Sequence, residues 1–143
     1  MLRVRVAALA VRDGTILLAR HVKSGRVAYL LPGGGVEPME SAVSALEREL
    51  REEAGVSCSV GALRYVIETQ APAGTRQVVQ LVFDVEIHGE IGISTDRRVT
   101  GCAWHPVADL RRLRIHPDAG DQIAHDLERG STELRYLVVP WRS

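Results

Sequence analysis

Three carboxylates, Glu49, Glu52 and Glu53, fall at i, i+3 and i+4 in the run ERELREEAGV, a short way behind the glycines Gly33-Gly34-Gly35. On a helix that turns about 100° per residue they occupy an arc of about 100°. Carboxylates held that close repel one another and destabilise the helix unless a cation sits between them. Hard oxygen donors of this kind suit Mg2+ or Mn2+, so the spacing points to metal-dependent phosphate chemistry. The competing reading is a solvated charged helix face, in which pairs such as Arg48 with Glu52 at i,i+4 add ordinary surface stability.

The helix that must carry these groups is legible at both ends. Ser41 and Glu40 offer acceptors for its first N–H groups, Gly55 suits a left-handed C-terminal stop, and no proline interrupts the interval. Val43, Leu46, Leu50 and Ala54 form a narrow apolar stripe that must pack on a sheet. The glutamates border that stripe, which predicts that they sit at the rim of the buried contact, where a cleft opens.

The wider spacing narrows the chemistry. The segment reads Gly34, five residues, Glu40, seven residues, Arg48-Glu49-Leu50, any residue, Glu52-Glu53, any residue, Gly55 and Val56. It agrees with the Nudix box at every specified position, and the chain resembles a Nudix hydrolase, MutT-like. The resemblance implies hydrolysis of a pyrophosphate bond in a nucleotide by in-line attack of a water activated by Mg2+ or Mn2+. It implies metal ligation by Glu49, Glu52, Glu53 and the carbonyl of Gly33. It also implies that Glu40 and Arg48 hold loop and helix together through charge-assisted hydrogen bonds. For the general base, Glu53 or Glu52 is the first choice. In some relatives a glutamate from a distant loop takes that role, and the matching stretch Ile93 to Arg98 offers only Asp96, with Glu86 and Glu90 as weaker options.

Length and composition agree. The chain of 143 residues fits one domain over 1–143, large enough for its own core. Hydrophobic residues make up 45% and charged residues 25%, and the formal net charge is zero. That balance gives no electrostatic ground for nucleic-acid binding. Arg3, Arg5 and Arg12 interrupt the N-terminal apolar run, which argues against a signal peptide or a membrane span and for a cytoplasmic protein. Cys58 and Cys102 have the look of reduced thiols, far apart and outside any zinc-site spacing.

The remaining elements alternate. Val4, Val6, Ala8 and Ala10 line one side of a first strand, and residues 12–15 are a turn into Ile16–Ala19 as its hairpin partner. Tyr29–Leu31 is a short strand ending at Pro32. Leu63–Thr69 is a strand, residues 70–74 a loop, and Val79 to Ile87 alternates as a half-buried strand. Val99–Trp104 is a further strand, 118–129 a helix buried along Ile123, Ala124 and Leu127, and Leu134–Val139 an edge strand. A helix on each face of a mixed sheet would bury both stripes. The α+β architecture of the Nudix fold, an α/β/α sandwich, is what the resemblance implies.

The substrate is less determined. Tyr29, Arg20, Arg64 and Arg76 are candidates to stack on a base or bind phosphate and ribose oxygens. Pro72 stands where ADP-ribose-hydrolysing relatives often carry proline, so ADP-ribose, a nucleotide sugar or a nucleoside triphosphate all fit. The alternatives are a nucleotide-sensing module that binds without cleaving, and a hydrolase of RNA caps or dinucleoside polyphosphates. An edge strand at 134–139 serves a homodimer interface or an intramolecular edge equally well.

Overall fold

The computed structural model describes residues 1–93, 95 and 99–141. In chain order these form strands β1 (Leu2–Leu9), β2 (Val11–Arg12), β3 (Thr15–Lys23), β4 (Arg26–Leu30) and β5 (Gly33–Gly35), then helix α1 (Ala42–Ala54). Next come strands β6 (Ser57–Gln70), β7 (Gln77–His88), β8 (Val99–Pro106) and β9 (Ile115–His116), then helix α2 (Gly120–Arg129) and strand β10 (Arg135–Val138). Short 3-10 segments lie at Pro72–Gly74 and Val107–Arg111.

The middle of β1 is apolar on both sides, so it needs cover on both faces. Val6, Ala8 and Ala10 pack towards α1, and Ala7 and Leu9 into the core that also holds Ile123 and Ala124 of α2. The two helices thus lie on opposite faces, as the sandwich expectation required. On α1, Leu46 and Leu50 are fully buried, worth about 1.5–3 kcal/mol each.

Two sheets, rather than one, fill the space between. The first runs β10-β6-β7-β1-β5 and is mixed: β1 lies parallel to β7 and antiparallel to β5. The second runs β2-β3-β4-β9, with β8 also on β3. The chain changes sheet at Ala10, whose carbonyl accepts from the Leu17 amide at 3.0 Å. The hairpin partner of β3 is therefore the short β2, not β1. Asp13 and Gly14, at φ 51° and 74°, supply the two positive-φ positions of that hairpin turn.

Other boundaries also differ from the sequence expectation. Strand β6 begins at Ser57, six residues before Leu63, and its pairing with β7 shifts register around Val60, Leu63 and Tyr65. The early part of the strand carries Ser57, Ser59 and Gly61, and the bulge that follows breaks the alternation, which masked its strand pattern. Strand β7 is covered on both faces: Leu81, Phe83, Val85 and Ile87 meet the α1 core, while Val82 and Gln80 are buried on the other side. Val43 is 42% exposed and lies outside the buried arc of α1, in which Ala45 takes the place expected of it.

Candidate active site

Helix α1 is fixed at both ends as its sequence demands. The Ser41 hydroxyl accepts from the Ser44 amide at 3.1 Å, and Gly55, at φ 63°, donates to the Arg51 carbonyl. The buried residues of the helix are Ala45, Leu46, Glu49, Leu50, Glu53 and Ala54. At about 100° per residue, Glu53 falls near the middle of that arc and Glu49 on its flank, while Glu52 lies outside it. The exposures agree: Glu53 is 2% and Glu49 4% exposed, and the Glu52 side chain 44%. The glutamates are thus not all at the rim; two of the three lie under it.

A buried carboxylate must be compensated. Glu53 Oε1 accepts from the Gly33 amide at 2.8 Å, which ties the last turn of α1 to the start of β5. The glycines are required there by close approach. A Cβ on Gly33 would run into the Val6 carbonyl, and one on Gly34 into the Glu49 carboxylate.

Arg48 organises the other side. Its Nε and one terminal nitrogen grip both oxygens of Glu40 at 2.8 and 2.9 Å, and that same terminal nitrogen donates to the Gly35 carbonyl at 3.1 Å. Its other terminal nitrogen donates to Glu49 Oε1 at 2.9 Å and lies 3.5 Å from Glu52 Oε1. One guanidinium thus joins the loop, the helix and two of the three glutamates. The Arg48 hydrogen bonds, with a further one from the Glu37 amide, lower the Glu40 carboxyl from 4.5 to about 2. The Arg48 guanidinium is shifted further up in turn, first by Glu40.

The donor set is chemically right for a hard divalent cation: three carboxylates beside a glycine strand whose backbone approaches them closely. Among the described residues, no three carboxylate, imidazole or thiol groups converge as they stand. The Arg48 guanidinium lies between Glu49 and Glu52, 2.9 and 3.5 Å from an oxygen of each.

The other residues singled out from sequence divide into two groups. Tyr29 and Arg20 are brought together, paired in register across β3 and β4, and line a cavity of about 230 Å³ with Gly101, Cys102 and His105. The Tyr29 ring meets His105 edge-on at 5.3 Å. Arg64 and Arg76 are not brought there. Arg64 is buried, bonded to Asp84 at 2.9 Å and to the Ser131 carbonyl, and lines a separate groove of about 480 Å³ with Glu86 and Leu127. Arg76 is exposed in the β6–β7 turn, its guanidinium 5.9 Å from the Trp141 ring centre. Pro72 opens the 3-10 turn beside it. Glu86 and Glu90 are exposed, and Asp96 lies outside the described residues. Both cysteines are free thiols. Burial, and then the neighbouring Glu53, pushes the Cys102 thiol up to about 12, so it remains a protonated donor. Sequence reasoning missed that Gly92, Thr95 and Cys102 reach the end of α1, because no spacing connects these positions to the helix.

The family model of the NUDIX domain matches residues 1–126. The chain belongs to the Nudix family. Among its Nudix relatives, the CTP pyrophosphohydrolase of Escherichia coli is 38% identical over 101 residues, covering 68% of this chain and 73% of the relative. The human 8-oxo-dGDP phosphatase NUDT18 is 33% identical over 112 residues, covering 76% of this chain; the match spans about a third of that relative, 33% of its length. A MutT NUDIX hydrolase from Burkholderia pseudomallei superposes with a TM-score of 0.74 at 28% identity, covering 87% of this chain and 97% of that one. This Nudix protein is a hydrolase acting on pyrophosphate bonds, and members of the family generally use divalent metal ions. Among the described residues no helix is long and apolar enough to cross a membrane.

Proposed function

We propose that this Nudix protein cleaves the pyrophosphate bond of a nucleoside triphosphate or a related nucleoside diphosphate derivative, releasing a nucleoside monophosphate and a phosphorylated second product. Glu49, Glu52, Glu53 and the Gly33 carbonyl would hold Mg2+ or Mn2+. A divalent cation bound there would neutralise the diphosphate oxygens and ease deprotonation of the attacking water. The observation that carries the reading is the 2.8 Å bond from the Gly33 amide to Glu53, which fixes a buried carboxylate against the glycine strand. Glu49 is held by Arg48 against Gly34, and Glu52 is the more exposed arm, with room to turn towards substrate. Glu53 or Glu52 accepts the proton of the attacking water; Glu86 fits less well, because it lines the groove on the α2 side. Arg48 and Glu40 keep loop and helix in register without touching the reacting atoms.

A nucleoside triphosphate is placed first because the CTP pyrophosphohydrolase relative matches most of its own length. ADP-ribose and nucleotide sugars stand behind it, and Tyr29 with Arg20 would contact the nucleoside or its phosphates. The whole 143-residue chain acts as one unit, since β10, beyond the family match, closes the sheet on β6. Assay of a panel of nucleoside triphosphates, ADP-ribose, nucleotide sugars and dinucleoside polyphosphates with Mg2+ or Mn2+ tests the reading. Glu53→Gln and Glu52→Gln should each lower turnover by at least about 100-fold with the fold retained. Near-normal turnover in either variant would remove the metal-ligand assignment. Nucleotide binding without hydrolysis of any panel member would favour the sensing alternative.

A further inference from the structure

An α-helix ends with four carbonyls that no residue of the helix can satisfy. In α1 those belong to Arg51, Glu52, Glu53 and Ala54. The capping Gly55 amide takes the Arg51 carbonyl at 3.1 Å. The other three are taken by one stretch of chain far away in sequence. The Glu52 carbonyl accepts twice from Thr95, from its amide at 2.6 Å and its hydroxyl at 3.2 Å. The Glu53 carbonyl accepts from the Cys102 thiol at 3.5 Å, and the Ala54 carbonyl from the Gly92 amide at 2.7 Å. Gly92 lies so close to Gly55 that a Cβ on Gly55 would come within 3.0 Å of the Gly92 Cα.

We infer that Gly92, Thr95 and Cys102 form a clamp on the last turn of α1, with Thr95 as a positioning residue that fixes the backbone from which the Glu52 and Glu53 side chains project. The inference rests on the proposed role of those two glutamates. Gly55 satisfies one of the four carbonyls, and at an exposed helix end water can take the rest. Here Gly92, Thr95 and Cys102 take all three, and three of their four bonds fall on Glu52 and Glu53, the residues that would do the chemistry. The Glu52 side chain, partly exposed and 3.5 Å from Arg48, projects from the backbone position that Thr95 holds. Fixing that backbone reduces the conformations lost when the site assembles.

The test uses the full-length protein carrying Thr95→Val or Thr95→Ser, beside Glu53→Gln. Thr95 is exposed, so neither change disturbs a core. Thr95→Val removes the hydroxyl bond, and kcat should fall about three- to ten-fold, the size of one neutral hydrogen bond, with KM unchanged and Tm lowered by no more than about 6 °C. Thr95→Ser should restore kcat. Amide exchange by NMR reads the clamp without reference to activity: the Gly92 and Thr95 amides should be protected in wild type, and faster at Thr95 in the Val variant. Wild-type kcat in Thr95→Val, with Glu53→Gln inactive, would overturn the clamp and leave the proposed chemistry standing. Unprotected Gly92 and Thr95 amides would overturn it outright. An active Glu53→Gln would instead overturn the chemistry, and with it the positioning role.

Discussion

Arg48 is the residue on which the polar side of the site turns. It binds Glu40 with two nitrogens, reaches the Gly35 carbonyl, and lies against both Glu49 and Glu52. The Glu40 carboxyl, lowered from 4.5 to about 2 chiefly by its Arg48 hydrogen bonds, gives this arrangement a pH signature. A carboxyl depressed in the folded state contributes stability that is fully present above the unfolded value and is lost as pH falls through the folded one. Glu40→Gln should therefore melt below wild type at neutral pH, and the gap should close between pH 4.5 and about 2. Thermal melts of the two proteins across pH 2–7 check this. A gap constant over that range would mean that the ion pair contributes nothing to the fold. Lys in place of Arg48 cannot reproduce the fork that grips both Glu40 oxygens, so it is not a conservative change here.

Among the elements, the two helices were the most legible and the short strands β2, β5 and β9 the least. The Ser41 cap, the Gly55 stop and the positions of Leu46, Leu50 and Ala54 come from local rules that a single sequence displays. The burial of Glu53 does not, because a glutamate counts as a surface residue until a partner is seen, and its partner is a backbone amide twenty residues earlier. The same limit hid the centre of α2. Its apolar stripe was visible, but Asp126, 1% exposed, was not recognisable as a buried hub. Asp126 accepts from Tyr65 at 2.5 Å, from Gln122 at 3.1 Å and from Arg135 at 2.8 Å. Burial alone would raise its carboxyl; the bonds from Arg135, Tyr65 and Gln122 outweigh that and leave it below the ordinary range. Tyr65, fully buried on β6, is shifted up first by burial and then by Asp126. Tyr65→Phe removes one donor to a buried carboxylate and should cost about 1.5–3 kcal/mol, read by chemical denaturation. An unchanged midpoint would show that the remaining donors suffice. Because Tyr65 belongs to the core on the α2 side, turnover of the folded variant should stay near wild type.

At the scale of the whole molecule, two cores share the sheets but serve different ends. The core under α1 contains Leu46 and Leu50 and borders the carboxylates; the core under α2 contains Tyr65, Ile67 and Ile123 and is closed by the chain after the helix. The family match stops at residue 126, yet the chain beyond that point is structural. Arg135 bonds Asp126, the Ser131 carbonyl accepts from Arg64, β10 pairs parallel with β6, and the Val139 amide donates to the Glu68 carbonyl. Ending the chain at Gly130 would leave the buried Asp126 and Arg64 each short of a charge-assisted partner. Asp126 would keep Tyr65 and Gln122 as donors, so the loss falls as much on the packing of Leu137 and Val139 as on the ion pair; at about 2–4 °C per kcal/mol for a chain of this size, Tm should fall by more than about 4 °C. Circular-dichroism melts of the truncated and full chains measure this, and a Tm within about 3 °C of wild type would show that the last strand is dispensable to the core. The glycine strand, α1 and Arg48 all lie before the cut. The shortened protein should therefore keep turnover at temperatures where it remains folded, which separates the part of the chain that stabilises from the part that performs the chemistry.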